Sequence, residues 1–353
     1  MPIIPSSKEE LTPEWFTSIL ELSKENQVKT VELQPLGEKD SVSGKIYRVH
    51  LTYTNKPSKN PKSVVLKLPQ PRHLRFNWLL DAYREEVKFY KTLAHKVGVP
   101  APKHIYSDIQ EDTGDYVLVM EDFPDSNNVR DEIGATTMQT YGLLDNMARL
   151  HAKNWENPDV GNMLIGFENS IEMLNEGLTC LPVFLSRFSQ SIEPEEKEIF
   201  QALPEGFRKV VEPLLDAPKT IVHNDYSMKN ILILDRAGES SYVLLDWANL
   251  RWGSGVRDLC FFMMTSVPLF LRPLGECMFL RYYLNKLVGF GVSGYSFRQL
   301  FDDYRRCVIM DMARMVGFGG REWFSPMHES IVKHLIRGRT GSARTLNLRS
   351  LFN

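Results

Sequence analysis

Val222-His223-Asn224-Asp225-Tyr226-Ser227-Met228-Lys229-Asn230-Ile231-Leu232 is the stretch on which the fold reading turns. An apolar strand leads in, a polar loop follows, and an apolar strand leads out. Asp225 and Asn230 stand five residues apart on that loop. Downstream, Val243-Leu244-Leu245-Asp246-Trp247 puts a second Asp at the end of the next apolar strand. If the two strands form a hairpin, Asn230 and Asp246 come close together. A lone Asp-Asn pair reads as turn hydrogen bonding between strands. The combined pattern, HxDxxxxN and then an apolar strand ending in Asp, is far more specific.

This residue set suits phosphoryl transfer, whose transition state needs positioning and charge neutralisation more than covalent help. Magnesium prefers oxygen ligands and uses few protein groups beside phosphates and water. Asn230 and Asp246 supply such oxygens. Asp225 then faces the acceptor hydroxyl, orients it and takes its proton.

Outward from the loop, the two halves of the chain differ. Residues 11–26 read as a helix with Thr12 as N-cap and Pro13 at its first position. Strands are expected at 28–36, 45–54, 63–68, 103–109 and 116–121, with a helix over 76–95 between the third and fourth. After Asp122, helical periodicity dominates: 136–154, 181–190, 194–216, 256–270, 274–289, 296–316 and 325–336. One island, 220–246, carries short strands at 231–234 and 242–245. The expected plan is α+β and bilobal: a β-rich N-terminal lobe over 1–121 and a mainly helical C-terminal lobe over 122–353.

The segment from His223 to Asn230, with Leu245-Asp246-Trp247, resembles the aminoglycoside phosphotransferase/choline kinase superfamily, small-molecule kinases with a protein-kinase-like fold. Its flavour is closest to the ecdysteroid-kinase-like (CHK kinase-like) branch. Val119-Met120-Glu121-Asp122, Glu86-Val87-Lys88-Phe89-Tyr90 and Gly253 through Arg257-Asp258-Leu259 extend the likeness. The resemblance implies Asp225 as catalytic base, Asn230 and Asp246 as magnesium ligands, and ATP as phosphate donor. It implies that His223 and Asp258 brace the catalytic loop. The family often has Gly where Asn224 stands; Asn tolerates unusual backbone angles nearly as well.

Lys67 is a charge inside the apolar strand Val64-Val65-Leu66-Lys67-Leu68 and needs a partner there. A kinase-like site offers the ATP α/β-phosphates and a helix carboxylate. Glu86 matches the family's position for that carboxylate; the neighbouring Glu85 is the other candidate. The alternative for Lys67 is an edge-strand lysine facing solvent. Between the first two strands, Ser41, Ser43 and the backbone near Gly44 either cradle phosphates or form an ordinary hairpin turn. At the connector, Glu121 and Phe123 are expected to meet adenine through backbone groups.

The acceptor is expected to be the hydroxyl of a small molecule: an amino sugar, a choline-like alcohol, a steroid or similar. Asp311 and Gly317-Phe318-Gly319-Gly320 are candidates for its pocket rim. A catalytically silent nucleotide-binding or scaffold protein is the competing class, but Lys67, Asp225, Asn230 and Asp246 are all present. A protein kinase is disfavoured: Trp247-Ala248 follows the metal Asp in place of Phe-Gly, Asn224 stands where protein kinases carry Arg, and an Ala-Pro-Glu element is missing.

Composition constrains the rest. The 353 residues are 43% hydrophobic and 24% charged, with net charge −2. That offers no general basic field for nucleic acid. Arg337, Arg339, Arg344 and Arg349 among Gly, Ser and Thr suggest a solvated, partly disordered tail. The most apolar run, Leu259 to Leu271, is too short to span a bilayer and reads as a buried helix. No signal peptide is expected from the N-terminal residues. Cys180, Cys260, Cys277 and Cys307 are far apart, which fits a reducing, cytoplasmic compartment. Oligomeric state is not legible.

Overall fold

The computed structural model describes residues 3–5, 7–36, 44–55, 60–72, 77–128, 133–236, 239–321 and 326–353. Ser41 and Ser43 lie outside them. The chain divides into two compact units: Met1–Ser126 with Leu234–Asn249, and Asn127–Ile233 with Leu250–Asn353. The fold is α+β, with a β-sheet N-terminal unit and a mainly helical second unit.

The first unit is built on five antiparallel strands: β1 (Val28–Leu36), β2 (Lys45–Tyr53), β3 (Ser63–Leu68), β4 (His104–Gln110) and β5 (Asp115–Glu121). Their order is β1-β2-β3-β5-β4, so β3 is central. Its period-2 pattern buries Val64, Leu66 and Leu68 in one core. Helix α1 (Pro13–Ile19) covers that core with Trp15, Phe16 and Ile19. Thr12 Oγ1 accepts the Trp15 N–H at 3.3 Å and Pro13 opens the helix, as expected from sequence. The helix stops near residue 20, short of the expected 26. Glu21 takes a left-handed φ of 50°, and Thr17 Oγ1 accepts the Val28 N–H at 2.9 Å, which hooks the start of β1 to the helix. Helix α2 (Asn77–Thr92) follows β3.

The second unit contains α3 (Thr137–Lys153), α4 (Pro158–Gly161), α5 (Phe167–Gly177), α6 (Leu181–Phe188), α7 (Pro194–Val211), α8 (Val256–Thr265), α9 (Arg272–Gly289), α10 (Phe297–Gly319), α11 (Pro326–Arg337) and α12 (Ser342–Thr345). Capping boxes, Thr136 with Gln139 and Ser296 with Gln299, start α3 and α10. Two short strand pairs frame the loop quoted at the outset. β6 (Asn127–Asn128) pairs with the start of β8 (Ile231–Arg236). β7 (Thr220–Val222) pairs with β10 (Arg251–Gly253). The chain re-enters the first unit at Leu234 in β8, and after β9 (Glu239–Leu244) the Leu244 N–H donates to the Pro100 carbonyl at 3.0 Å.

Strand β7 is the expected apolar strand that leads into the loop; helices α4 and α5 and strands β6 and β10 were not expected from sequence. The expected helix at 256–270 ends at Thr265, ahead of Pro268, and every residue of α8 is buried. Helix α10 packs against α5, α7 and α8. Gly317 and Gly177 let α10 and α5 approach: a Cβ on Gly177 would lie 3.2 Å from Gly317 Cα. Gly317 therefore serves the packing of these two helices. Asp311 is no rim residue, being 1% exposed between Arg257 and Arg339.

The C-terminal tail differs from expectation in forming regular elements and in burying Arg339, while Arg344 and Arg349 stay exposed. Residues 342–351 fold into α12 and a 3-10 turn, with Leu346 and Leu348 buried. Arg339 pairs with Asp311, Arg344 with Glu195 at 2.7 Å, and Arg349 with Glu198 at 2.7 Å. Apolar residues between the charges, two residues apart, are what anchor this tail. The four cysteines are free. Among the described residues no helix is long and apolar enough to cross a membrane.

Candidate functional site

Lys67 lies on the opposite face of β3 from Val64, Leu66 and Leu68, and is buried. Its Nζ sits 2.5 Å from Glu86 Oε1 on α2 and 3.2 Å from Asp246 Oδ1. Glu86, not Glu85, is thus its helix partner; Glu85 lies 3.8 Å from Lys88. Burial opposes the Lys67 charge, but the Asp246 and Glu86 carboxylates outweigh it and raise the pKa above the usual lysine range. Burial raises the Glu86 pKa; Asp246 adds to that rise, while Lys67 and the Trp247 N–H oppose it.

Asp246 adopts a left-handed φ of 59°. A non-glycine residue holds that conformation only where its surroundings fix it. Here the next residue does so. The Trp247 ring stacks on Phe89 of α2 with centroids 4.1 Å apart, and its Nε1–H donates to the Leu244 carbonyl at 2.9 Å. The Phe89-Tyr90 pair therefore has a use: Phe89 seats the residue after Asp246.

Gly44 immediately precedes β2 beside the end of β3, where a Cβ would collide with the Leu68 carbonyl, and its φ is 140°. Only glycine fits that close approach. At the end of β5, Asp122 accepts from Arg48 Nε at 2.8 Å, Arg48 Nη2 at 3.1 Å and Ser63 Oγ at 2.6 Å. This bidentate clamp fixes the segment bearing Glu121 and Phe123. The Glu121 N–H donates to the Lys103 carbonyl at 2.9 Å. The Phe123 carbonyl accepts from Ser126 N–H and Oγ–H at 3.1 and 2.7 Å.

In the second unit, Asp225 is 6% exposed. Its Oδ2 accepts from Asn230 Nδ2 at 2.9 Å and lies 3.3 Å from Lys229 Nζ. Asn230 Nδ2 also donates to the Asp225 carbonyl at 2.9 Å, which leaves Oδ1 as the amide oxygen for a cation. That orientation fits a hard-metal ligand, and a site with few protein oxygens fits magnesium completed by phosphates and water. Among the described residues no cluster of three or more His, Cys, Asp or Glu side chains is arranged to hold a metal by itself.

The loop is held from behind. Asp258 Oδ2 accepts the His223 N–H and Oδ1 the Asn224 N–H, both at 2.7 Å. Asn224 is left-handed, with φ 63°. His223 Nδ1 accepts the Asp225 N–H at 3.3 Å. Two contributors escaped the sequence reading. His151 on α3 bridges Asp258 Oδ2 at 3.2 Å and the Tyr283 hydroxyl at 2.7 Å. Arg314 on α10 donates to the Asn224 carbonyl at 3.2 Å and places Nη2 3.8 Å from Asp225 Oδ1. Its signal was present as a lone charge in Met312-Ala313-Arg314-Met315-Val316.

The family model described as the ecdysteroid kinase-like family matches residues 38–290. No curated protein matches the chain. Among solved structures, choline kinase from Cryptosporidium parvum superposes with TM-score 0.58 at 13% identity, covering 97% of each chain. Plasmodium vivax ethanolamine kinase gives 0.57 at 16%, covering 91% of this chain and 83% of its own. The GDP complex of aminoglycoside 2'-phosphotransferase-IIIa gives 0.57 at 12%, covering 89% and 94%. At these identities the likeness is one of fold.

Proposed function

The chain belongs to the ecdysteroid kinase-like family, and from that premise we propose that it transfers the γ-phosphoryl group of ATP, with magnesium, to the hydroxyl of a small molecule. In this reading Lys67, aligned by Glu86, holds the α/β-phosphates. Asn230 and Asp246 would hold magnesium, which would neutralise charge on the phosphates. Asp225 orients the acceptor hydroxyl and takes its proton. Glu121 and Phe123 meet the base through their backbones. For Phe123 the group on offer is its N–H, since its carbonyl is already used by Ser126. Gly44, with Ser43 beyond the described residues, covers the phosphates.

One observation carries this reading: the buried Lys67 set between Glu86 and Asp246 at 2.5 and 3.2 Å. A structural lysine needs one counter-ion. A lysine buried among two carboxylates, one of them on a left-handed residue, leaves one negative charge over, which suits a metal cation and the phosphates that a metal brings. Solved structures of the same fold include choline, ethanolamine and aminoglycoside phosphotransferases, one with GDP bound. They support nucleotide use and an alcohol acceptor.

The test is phosphate transfer from MgATP to a panel of amino sugars, choline-like alcohols, sterols and macrolides. Transfer to at least one alcohol, abolished by EDTA, is expected. Absence of both transfer and nucleotide-dependent thermal stabilisation would replace this reading with the scaffold one.

A further inference from the structure

The two oxygens of Asp225 have unlike surroundings. Oδ2 is engaged by Asn230 and Lys229. Oδ1 is buried without a hydrogen-bond donor among the described residues, and Arg314 Nη2 lies 3.8 Å away. An unsatisfied carboxylate oxygen of this kind awaits a donor. On the reading above, that donor is the acceptor hydroxyl, which then arrives beside Arg314.

Arg314 is firmly placed. Its Nη1 donates to the Asn224 carbonyl at 3.2 Å, and its guanidinium lies over the Phe261 ring, 4.8 Å from the centroid. The side chain is 34% exposed, and its Nη2 is the cation on the Oδ1 side of Asp225. Its nearest carboxylate on α10, Asp311, is already held by Arg257 at 2.5 Å and by Arg339. With Lys229 and with Asp258 behind the loop, four cations meet three carboxylates, Asp225, Asp258 and Asp311. The surroundings of the reacting oxygen are cationic.

We propose that Arg314 sets acceptor selectivity by charge: the side of Asp225 that it covers takes a neutral or anionic alcohol and excludes one carrying an ammonium close to the reacting hydroxyl. This rests on the proposed phosphotransferase function and narrows its substrate class. Amino sugars and choline-like alcohols fall on the excluded side. Two unit charges about 6 Å apart at an effective dielectric of 20 to 40 repel enough to change affinity by roughly 10- to 100-fold.

The experiment compares alcohols matched in shape and differing in one positive charge. Choline is paired with 3,3-dimethylbutan-1-ol, glucosamine with N-acetylglucosamine, and aminosteroids with the corresponding neutral sterols. The wild type is expected to show a kcat/KM at least roughly tenfold higher for the neutral member of any pair it phosphorylates. R314Q should bring that ratio towards one, mainly through KM, and R314K should keep it. A role confined to bracing the loop would slow both members alike and leave the ratio unmoved, which would overturn the inference. A wild-type preference for the cationic member would overturn it directly. If R314Q does not fold, the ionic-strength dependence of the wild-type ratio decides: it should shrink in high salt, and a constant ratio contradicts the proposal. Transfer to no alcohol at all would remove the phosphotransferase function and this inference together; transfer with an indifferent ratio removes the inference alone.

Discussion

Replacing Lys67 by Met tests the buried ion-pair group most sharply. The substitution keeps much of the side-chain volume and removes the charge. It leaves Glu86, 2% exposed at its side chain, facing Asp246, 28% exposed, with no cation between them. Breaking a buried pair from one side costs about 3–5 kcal/mol. The partial exposure of Asp246 and the Trp247 N–H on Glu86 favour the lower end. About 3 kcal/mol corresponds to a roughly 100-fold change in an opening equilibrium. Because the two units need not unfold together, native-state hydrogen exchange is the proper assay. Amides of β3, β5 and α2 should lose about 100-fold in protection, while those of α10 stay unchanged. The pH dependence has a defined sign. The Glu86 pKa is already raised in the folded state, and losing Lys67 raises it further. A raised carboxyl pKa gives stability that is present at low pH and lost as pH rises through the folded value. The deficit of K67M should therefore be larger at pH 8 than at pH 5. The double variant K67M/E86L, which removes both charges, should recover most of it. A K67M protein with unchanged protection at pH 8, or with a pH-independent deficit, would refute this reasoning.

Two further expectations concern the second unit. Asp258→Asn removes the charge that holds the His223 and Asn224 N–H groups, so transfer should fall by roughly 10–100-fold with nucleotide affinity little changed, measured by kinetics beside calorimetric titration. Glu196, 4% exposed, has its pKa pushed up to about 7, chiefly by burial, so its stabilising protonated form is lost as pH rises through 7; E196Q should match the wild type in Tm at pH 5 and exceed it by several degrees at pH 8.

Local chemistry was legible in the sequence where it interrupts an apolar pattern. Asp225 and Asn230 stand out because a polar loop lies between two apolar strands, and Lys67 because a charge inside a strand demands partners. Asn224 was recognised as tolerant of the left-handed region, where it lies at φ 63°. The tolerance is local, and so it can be read from one residue. What could not be read depends on distant partners. Arg314 meets Asn224 across 90 positions, and His151 meets Asp258 across 107. In the tail, Arg344 and Arg349 are solvated as expected, whereas Arg339 is buried because Asp311, 28 positions away, is brought to it. Helix α5 lies outside the expected elements although Phe167, Ile171 and Leu174 follow a three-four spacing.

The most direct test of the central claim is single-turnover transfer of the ATP γ-phosphate by wild type and D225N, with MgATP affinity measured on both. A general base of this kind contributes roughly 10²–10⁴-fold. The account predicts that D225N loses transfer by about that factor while its MgATP Kd stays within about threefold of wild type. Transfer by D225N at the wild-type rate, or a loss of transfer matched by an equal loss of nucleotide binding, would contradict it.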